Sequence, residues 1–513
     1  MKKYYLFIAL LHVAFIVKAQ LPEEGLRSAW FTGNGTARNI ATGGVMGSLG
    51  GDITAAHVNP AGLGLFKTNE FVISPGFLLN QNKFGYRGKD TTNNRNSFVY
   101  GATGVIWGKP LRYKNSNGWV SNAFAISINQ LASYRNRIQF SGFNNLSSFS
   151  EQYLEELIRD RADTNAALSN YIFGSSLAFR TYLIDTLRAA NGSFDGYQSL
   201  VPLSTGVNQY YDAITSGGYH ELAFSAAGNM EDKLYVGASI TVPVIGFQRQ
   251  LTYRETDATN NPNNQFESFT FSESFRSTGI GIGAKMGFIY KPKDFWRLGV
   301  AIHTPQLIGM RDELRASMVT NTESYAGVVA ESSNDLNSGN AGKREYLMIT
   351  PYRLIASASY VFREVSDTRK QRAFISADIE FVNYRGVRFS ASDEFVDEGI
   401  KSYLRTLNET VKKVYKGNIN ARIGGELKLN VFMIRMGAAY FGSPYADKTL
   451  GANRILATGG FGYRNHGIFI DLSYAHNFVN DAQFAYRLND KPNTFAKQQS
   501  NIGNIMLTLG FKF

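Results

Sequence analysis

The final nine residues alternate without a break. Ile505, Leu507, Leu509, Phe511 and Phe513 fall on one face of a strand and Met506, Thr508, Gly510 and Lys512 on the other. The same period of two recurs from Glu70 onward. Phe124, Ile126 and Ile128 oppose Ala125, Ser127 and Asn129, and Ile470 and Leu472 oppose Asp471 and Ser473. Such segments begin near Phe71, Asn96, Gly118, Gly218, Lys233, Asn263, Phe295, Glu345, Gln371, Tyr415, Val431, Asn453, Gly467 and Ser500, fourteen in all. Their connections fall into two sets, short at 109–117, 229–232, 291–294, 363–370, 428–430 and 464–466, and longer at 141–216, 316–344, 394–414 and 481–499. An even number of antiparallel strands with short turns on one rim predicts a closed up-and-down barrel. The segment from Asn263 to Tyr290 is long for one strand.

The polar faces carry the candidate chemistry. Ile375, Ile379 and Phe381 oppose Ser376, Asp378 and Glu380, while Ile419, Ile423 and Leu427 oppose Asn420, Arg422 and Glu426. Lipid does not tolerate charges of both signs on an outer face, so these rows are predicted to line a lumen. Arg353, Asp378, Glu380, Arg422, Glu426, Arg435 and Asp471 are the candidate luminal residues, either ligand contacts or members of an interior salt-bridge network. Inside two long loops the spacing turns helical: Tyr153, Leu154, Leu157 and Ile158, then Leu183, Ile184 and Leu187, and later Leu404, Leu407, Val411 and Val414.

Residues 1–19 read as an export signal, with Lys2 and Lys3, an apolar run from Tyr4 to Val17, and a cleavage site at Ala19–Gln20. No later stretch reaches the roughly 18 apolar residues of a spanning helix, and the mean hydropathy is -0.20. Aromatics make up 13% of the chain, with 50 glycines against 12 prolines, a composition suited to many strands that each give half their residues to lipid. There is no cysteine, which excludes disulfides and thiolate metal sites. The net charge of +12 is spread singly rather than in stripes, which points to anionic outer-leaflet lipid and not to nucleic acid.

The segment 20–69 does not alternate. Its glycines and small residues are interleaved with Trp30, Phe31, Val45, Met46 and Leu49, and it ends in Asn59-Pro60-Ala61. Together with the export signal, the strand count and the closing Leu509, Phe511 and Phe513, this resembles the FadL/TodX family of outer-membrane transporters for long-chain fatty acids and aromatic hydrocarbons. Three further stretches, 278–305, 420–428 and 434–444, strengthen the resemblance. The last strand is itself similar to the C-terminal strand of outer-membrane barrels, the one recognised by the barrel-assembly machinery.

The resemblance implies an all-β fold, a 14-stranded antiparallel transmembrane barrel over 70–513 with a hatch over 20–69 plugging the lumen; the short outer-loop helices, near 141–216 and 394–414, are read from spacing, and these insertions are long for the family, a departure that bears on the ligand class. It implies passive uptake of hydrophobic small molecules across the outer membrane of a Gram-negative bacterium, gated by the hatch around Asn59, Pro60 and Ala61. It also implies lateral escape through the wall, with Pro75 and Pro243 as candidate kinks. Outer-membrane lipid and lipopolysaccharide are the expected surroundings. An alternative of another class is a PorV-like adaptor of type IX secretion; a haem or hydrophobic-cofactor receptor is a third. No cofactor and no enzymatic activity are expected. Thr278-Gly-Ile-Gly-Ile-Gly lies in an alternating strand with no helix after it, unlike a dinucleotide loop. His57, His220, His303, His466 and His476 show no metal-ligand spacing, and no nucleophile, base and orienter triple stands out.

Overall fold

The computed structural model describes residues 22–111, 118–259, 261–362, 372–392 and 398–513. The expected signal peptide with its Ala19–Gln20 junction, and most of the turns at 109–117 and 363–370, lie outside the described residues.

Fourteen antiparallel strands close into one barrel. They are β1 (Glu70–Ile73 and Pro75–Tyr86), β2 (Lys89–Asn94, Ser97–Tyr100 and Thr103–Pro110), β3 (Trp119–Ser133 and Asn136–Asn144), β4 (Val207–Met230), β5 (Leu234–Asp257), β6 (Ser268–Lys293) and β7 (Trp296–His303 and Leu307–Asn321). The circuit continues through β8 (Gly342–Ile349 and Arg353–Phe362), β9 (Ala373–Asn383 and Arg388–Ala391), β10 (Gly417–Leu429), β11 (Phe432–Phe441), β12 (Asn453–Asn465), β13 (Ile468–Gln483) and β14 (Ala496–Lys512). Closure is direct: Phe71 pairs with Phe511 and Phe77 with Ile505. The expected strand number and class hold. Two starts move outward, β2 to Lys89 and β4 to Val207, because polar alternation above the apolar part of a strand is still strand when a neighbour supplies the ladder.

The outward faces of the tall strands change character along their length. On β5 the outward row runs Val236, Ala238, Ile240, Val242 and Val244, then turns polar at Gln248, Gln250, Thr252 and Arg254. On β6 it is apolar from Ile280 to Tyr290 and polar from Thr270 to Thr278. The outer part of β4, β5 and β6 therefore stands above an apolar band, and the 26-residue β6 is one continuous strand. Trp107, Tyr290, Trp296, Phe432 and Phe511 are exposed near the opposite, short-turn rim, as an interfacial aromatic girdle requires. There the turn between β12 and β13 places both His466 and Gly467 at positive φ, 47° and 84°, the geometry of a two-residue hairpin. No helix among the described residues is long and apolar enough to cross a membrane.

Helices α1 (Pro22–Arg27) and α2 (Ala37–Ala41) belong to the N-terminal segment. Between β3 and β4 stand α3 (Glu151–Arg159), α4 (Thr164–Ser169) and α5 (Ser175–Arg180), followed by a hairpin of Ile184–Arg188 with Phe194–Ser199. Leu183, Ile184 and Leu187 are thus not helical: Ile184 and Leu187 take their place in a ladder with Ser199 and Gly196. The run is too short to separate the two periods by spacing alone. Helix α6 (Ser333–Leu336) precedes β8, and α7 (Glu398–Val414) follows β9. Neither insertion packs only on itself. Phe149, Tyr153 and Leu157 pack into the barrel mouth among Tyr253, Phe269, Phe271 and Met318, and Leu404, Leu407 and Val411 of α7 cluster with Leu26 and Trp30 of the N-terminal segment.

Candidate functional site

From Pro22 to Phe66 the chain touches inward residues all around the wall, which places it inside the barrel. Asn34 donates to the Tyr100 carbonyl (2.9 Å), the Ala37 amide to Thr508 (2.7 Å), and the Met46 and Gly47 amides to Asp378 (3.0 Å each). The Asn59 side chain accepts from the Ala61 amide at 3.1 Å, capping a 3-10 helix, Pro60–Leu65, whose first residue is Pro60. Its amide nitrogen donates to the carbonyls of Gly47 (2.5 Å), Phe288 (3.3 Å) and Val300 (3.4 Å). The backbone approaches the wall closely at paired glycines, Gly237 with Gly287 and Gly424 with Gly437, where an added Cβ would meet hatch atoms.

Two positions before Asn59-Pro60-Ala61 stands His57, to which sequence reasoning gave no role. Its Nδ1 meets Glu221 at 2.8 Å and its Nε2 meets Ser127 at 2.9 Å, while Lys285 donates to the His57 carbonyl (2.9 Å) and to Glu221. Gln306 donates to the other Glu221 oxygen at 2.8 Å, and His303 donates to the Val58 carbonyl at 2.7 Å. Serine, histidine and carboxylate come together here with no signal in the sequence spacing, because three distant segments converge. The arrangement resembles a hydrolytic triad in geometry alone. Ser127 is 1% exposed and does not border the cavity, and the carboxylate that meets His57, Glu221, is already claimed by Lys285 and Gln306. What the cluster does is fasten the hatch to β3, β4, β6 and β7.

Above it lies a cavity of about 750 Å³. Its walls mix Leu26, Trp30, Phe31 and Phe247 with Lys285, Arg353, Glu380, Arg422 and Arg454. Guanidinium groups lie over aromatic faces: Arg27 on Phe247 (3.4 Å), Arg353 on Phe31 (4.6 Å) and Arg454 on Trp30 (3.9 Å).

The luminal candidates separate into three groups. Arg353 (2.9 Å) and Arg422 (2.5 Å) share Glu380, and this trio borders the cavity. Asp378 instead receives the hatch amides and Ser357 (2.6 Å). Arg435 is buried between Glu426 and Asp471, 2.6 Å from each, with Arg38 and Arg464 flanking, away from the cavity.

One side of the cavity has an incomplete wall. Among the described residues, β2 and β3 share a ladder only between Thr103–Pro110 and the facing residues 121–128. Beyond it the outer pieces of β2 pair only with β1, and Asn136–Asn144 pairs only with β4. Seven consecutive residues of β3, Gln130 to Asn136, border the cavity at this seam. Side chains bridge it: from β2 the Tyr100 amide donates to Gln130 of β3 (3.3 Å), and from β1, which carries the outer pieces of β2, Asn80 (3.1 Å) and Asn82 (2.7 Å) both donate to Asn136 of β3. Outside, Tyr100 and His220 stack with ring centroids 5.5 Å apart and meet through Oη and Nδ1 at 2.6 Å. The proline candidates are lesser features. Pro75 follows the Ser74 interruption of β1, and Pro243 lies in an unbroken β5, where pairing to β6 lapses for two residues.

A closed barrel threaded by its own N-terminal segment, with a cavity reaching a seam in the wall, defines the class. No family model and no curated protein matches the chain. Among solved structures it is similar to a FadL homologue of Pseudomonas aeruginosa, with a TM-score of 0.55 and 13% identity over 94% of this chain and 100% of that one. It is also similar to the Pseudomonas putida toluene transporter TodX (TM-score 0.50, 14% identity, 94% and 99%) and to a deltaS2 mutant of TodX, a monoaromatic hydrocarbon channel (0.52, 13%, 94% and 99%). The fold is that of the FadL/TodX barrels, and the resemblance read in the sequence holds at that level.

Proposed function

We propose that this protein is an outer-membrane conduit for passive uptake of hydrophobic small molecules, long-chain fatty acids or hydrocarbons among them. The outer loops collect the solute, the cavity holds it, and it leaves sideways between β2 and β3 into the bilayer, without catalysis. The seam carries this reading: a wall joined by side chains can open at the cost of a few hydrogen bonds, each worth about 1 kcal/mol net, while a ladder cannot. In the same reading the lower hatch, held at His57 and Asn59, keeps the direct path to the periplasm shut. Arg353 and Arg422 face the polar end of a ligand, whereas Arg435 belongs to the internal network.

Because the chain has no cysteine, the seam can be locked chemically. Asn93→Cys on β2 with Asn136→Cys on β3, whose side-chain oxygens both meet the Asn82 amide, bridged by a short bismaleimide, is expected to abolish uptake of a fluorescent fatty acid into proteoliposomes, with the unbridged protein active. Undiminished uptake by the bridged protein sinks the lateral route.

The adaptor reading draws on the outer insertion, where Leu146, Ile158 and Phe194 are exposed. A secreted protein copurifying in place of a small hydrophobic ligand would favour it.

A further inference from the structure

Three arginines straddle the outer mouth of the seam. Arg95 sits on one lip, between Lys89–Asn94 and Ser97–Tyr100 of β2; Arg135 and Arg137 sit on the other, where β3 is interrupted. Arg137 is held by Asp212 through two bonds, 3.0 and 2.7 Å. Arg95 and Arg135 have no carboxylate partner among the described residues, and Arg135 is both exposed and at the border of the cavity. The lips are spatially joined: the Arg95 amide donates to the Asn80 carbonyl (2.9 Å), Asn80 donates to Asn136, and the Arg137 amide donates to the Asn136 side chain (2.9 Å). Three cations and one carboxylate thus occupy a single patch, an arrangement that is unfavourable until an anion joins it.

The height of the patch identifies the anion. Ser133 pairs with Gly218 and Asn136 with Thr215 on β4, and Gly218 and Ser216 pair with Gly246 and Gln248 on β5. Across those ladders Arg135 is in register with Gln248, the first polar position above the apolar row of β5, and the exposed apolar rows next to the patch, Phe98 on β2 and Phe124, Ile126 and Ile128 on β3, end at Arg95 and Arg135, where lipid headgroups lie. Arginine forks match phosphate oxygens, and a phosphate held by both lips would pin the seam.

We propose that Arg95, Arg135 and Arg137 form a binding site for the phosphate headgroup of an outer-leaflet lipid, seated across the seam between β2 and β3. The inference rests on the membrane orientation of the proposed function, but not on transport itself. The test uses the full protein in phosphatidylcholine nanodiscs doped with phosphatidic acid, with retained lipid counted by native mass spectrometry. Wild type is expected to retain phosphatidic acid preferentially, and Arg95→Gln with Arg135→Gln to reduce that preference about tenfold. Arg254→Gln, which removes an exposed outward arginine of β5, is expected to leave it unchanged. No preference in wild type, or an equal loss in Arg254→Gln, overturns the site. Full displacement of phosphatidic acid by inorganic phosphate at equal concentration overturns the lipid assignment in favour of a free-anion site. Fatty-acid uptake measured on the same proteins separates the two readings: preferential lipid retention without uptake overturns transport and leaves this site standing.

Discussion

Asn59 of the hatch occupies the space that a side chain on Gly287 of β6 would need: a Cβ built there collides with the Asn59 side-chain oxygen. The contact is possible only because Gly287 is matched by Gly237 across the β5–β6 ladder, leaving a bare patch of wall under Asn59 and Pro60. Gly287→Val is expected to leave the barrel assembled, since valine suits a strand, and to unseat the lower hatch. Increased leakage of small polar solutes through a correctly folded barrel is the expected measurement. The same leak should follow replacement of Asn59, Pro60 and Ala61 by Gly, which removes the cap and the fixed φ of Pro60. Wild-type permeability in both would mean the hatch does not seal the pore.

Arg422 and Arg435 should behave differently when neutralised. Arg435→Gln removes two ion pairs at 2.6 Å and leaves Glu426 and Asp471 only the longer contacts to Arg38 (3.4 Å) and Arg464 (3.6 Å), and a loss of about 3 kcal/mol in urea unfolding is expected. Arg422→Gln leaves Glu380 still paired with Arg353, so a smaller loss of stability is expected, accompanied by weaker retention of an anionic amphiphile. Equal stability losses with unchanged retention would assign both residues to the network.

His57 makes hatch docking sensitive to acid. Burial first, opposed by the Glu221 hydrogen bond, holds its imidazole below the ordinary value of 6.5. A base with a lowered docked pKa binds more protons when released. Its contribution is therefore complete above about pH 6.5 and is lost as pH falls below that value. Leakage rising from pH 7 to pH 5, and losing that slope in His57→Gln, is the expected pattern.

Glu24 of α1 works in the opposite sense. Both its carboxylate oxygens are buried without a hydrogen-bond partner, and burial, then Asp312, raises its pKa well above the ordinary carboxylate range. A raised docked pKa favours docking in acid and costs docking as pH rises through it. Glu24→Gln is expected to protect the α1 amides from hydrogen exchange at neutral pH; unchanged exchange would show that burying Glu24 does not weaken docking of α1.

Deleting Phe511 to Phe513 removes the ladder contacts of Phe511 with Phe71 and Ile468 and the Phe513 bond to the Asn69 carbonyl (3.1 Å). Closure at the short-turn end should fail, seen as loss of the heat-modifiable band on gels. A normal band would show that the last three residues are dispensable for assembly.

Much of this molecule is written in local alternation. Ile419 and Ile423 face outward and Arg422 and Glu426 inward because a strand has a period of two and lipid accepts only one of its faces, so strand number, phase and the luminal charges follow from residue order. Asn59-Pro60-Ala61 likewise carries its own turn. The clustering of Ser127, His57 and Glu221 has no local signature: they are separated by 70 and 164 positions and meet only because the hatch crosses the lumen. The division between Arg422 at the cavity and Arg435 in the network also depends on where the hatch leaves space. The seam is the least legible feature: Gln130 to Asn136 lose the alternation of residues 122–129, but a lapse of period does not say whether a ladder is lost. Whether a strand keeps its ladder depends on the path of the adjacent strand, a property of the closed barrel and not of either segment.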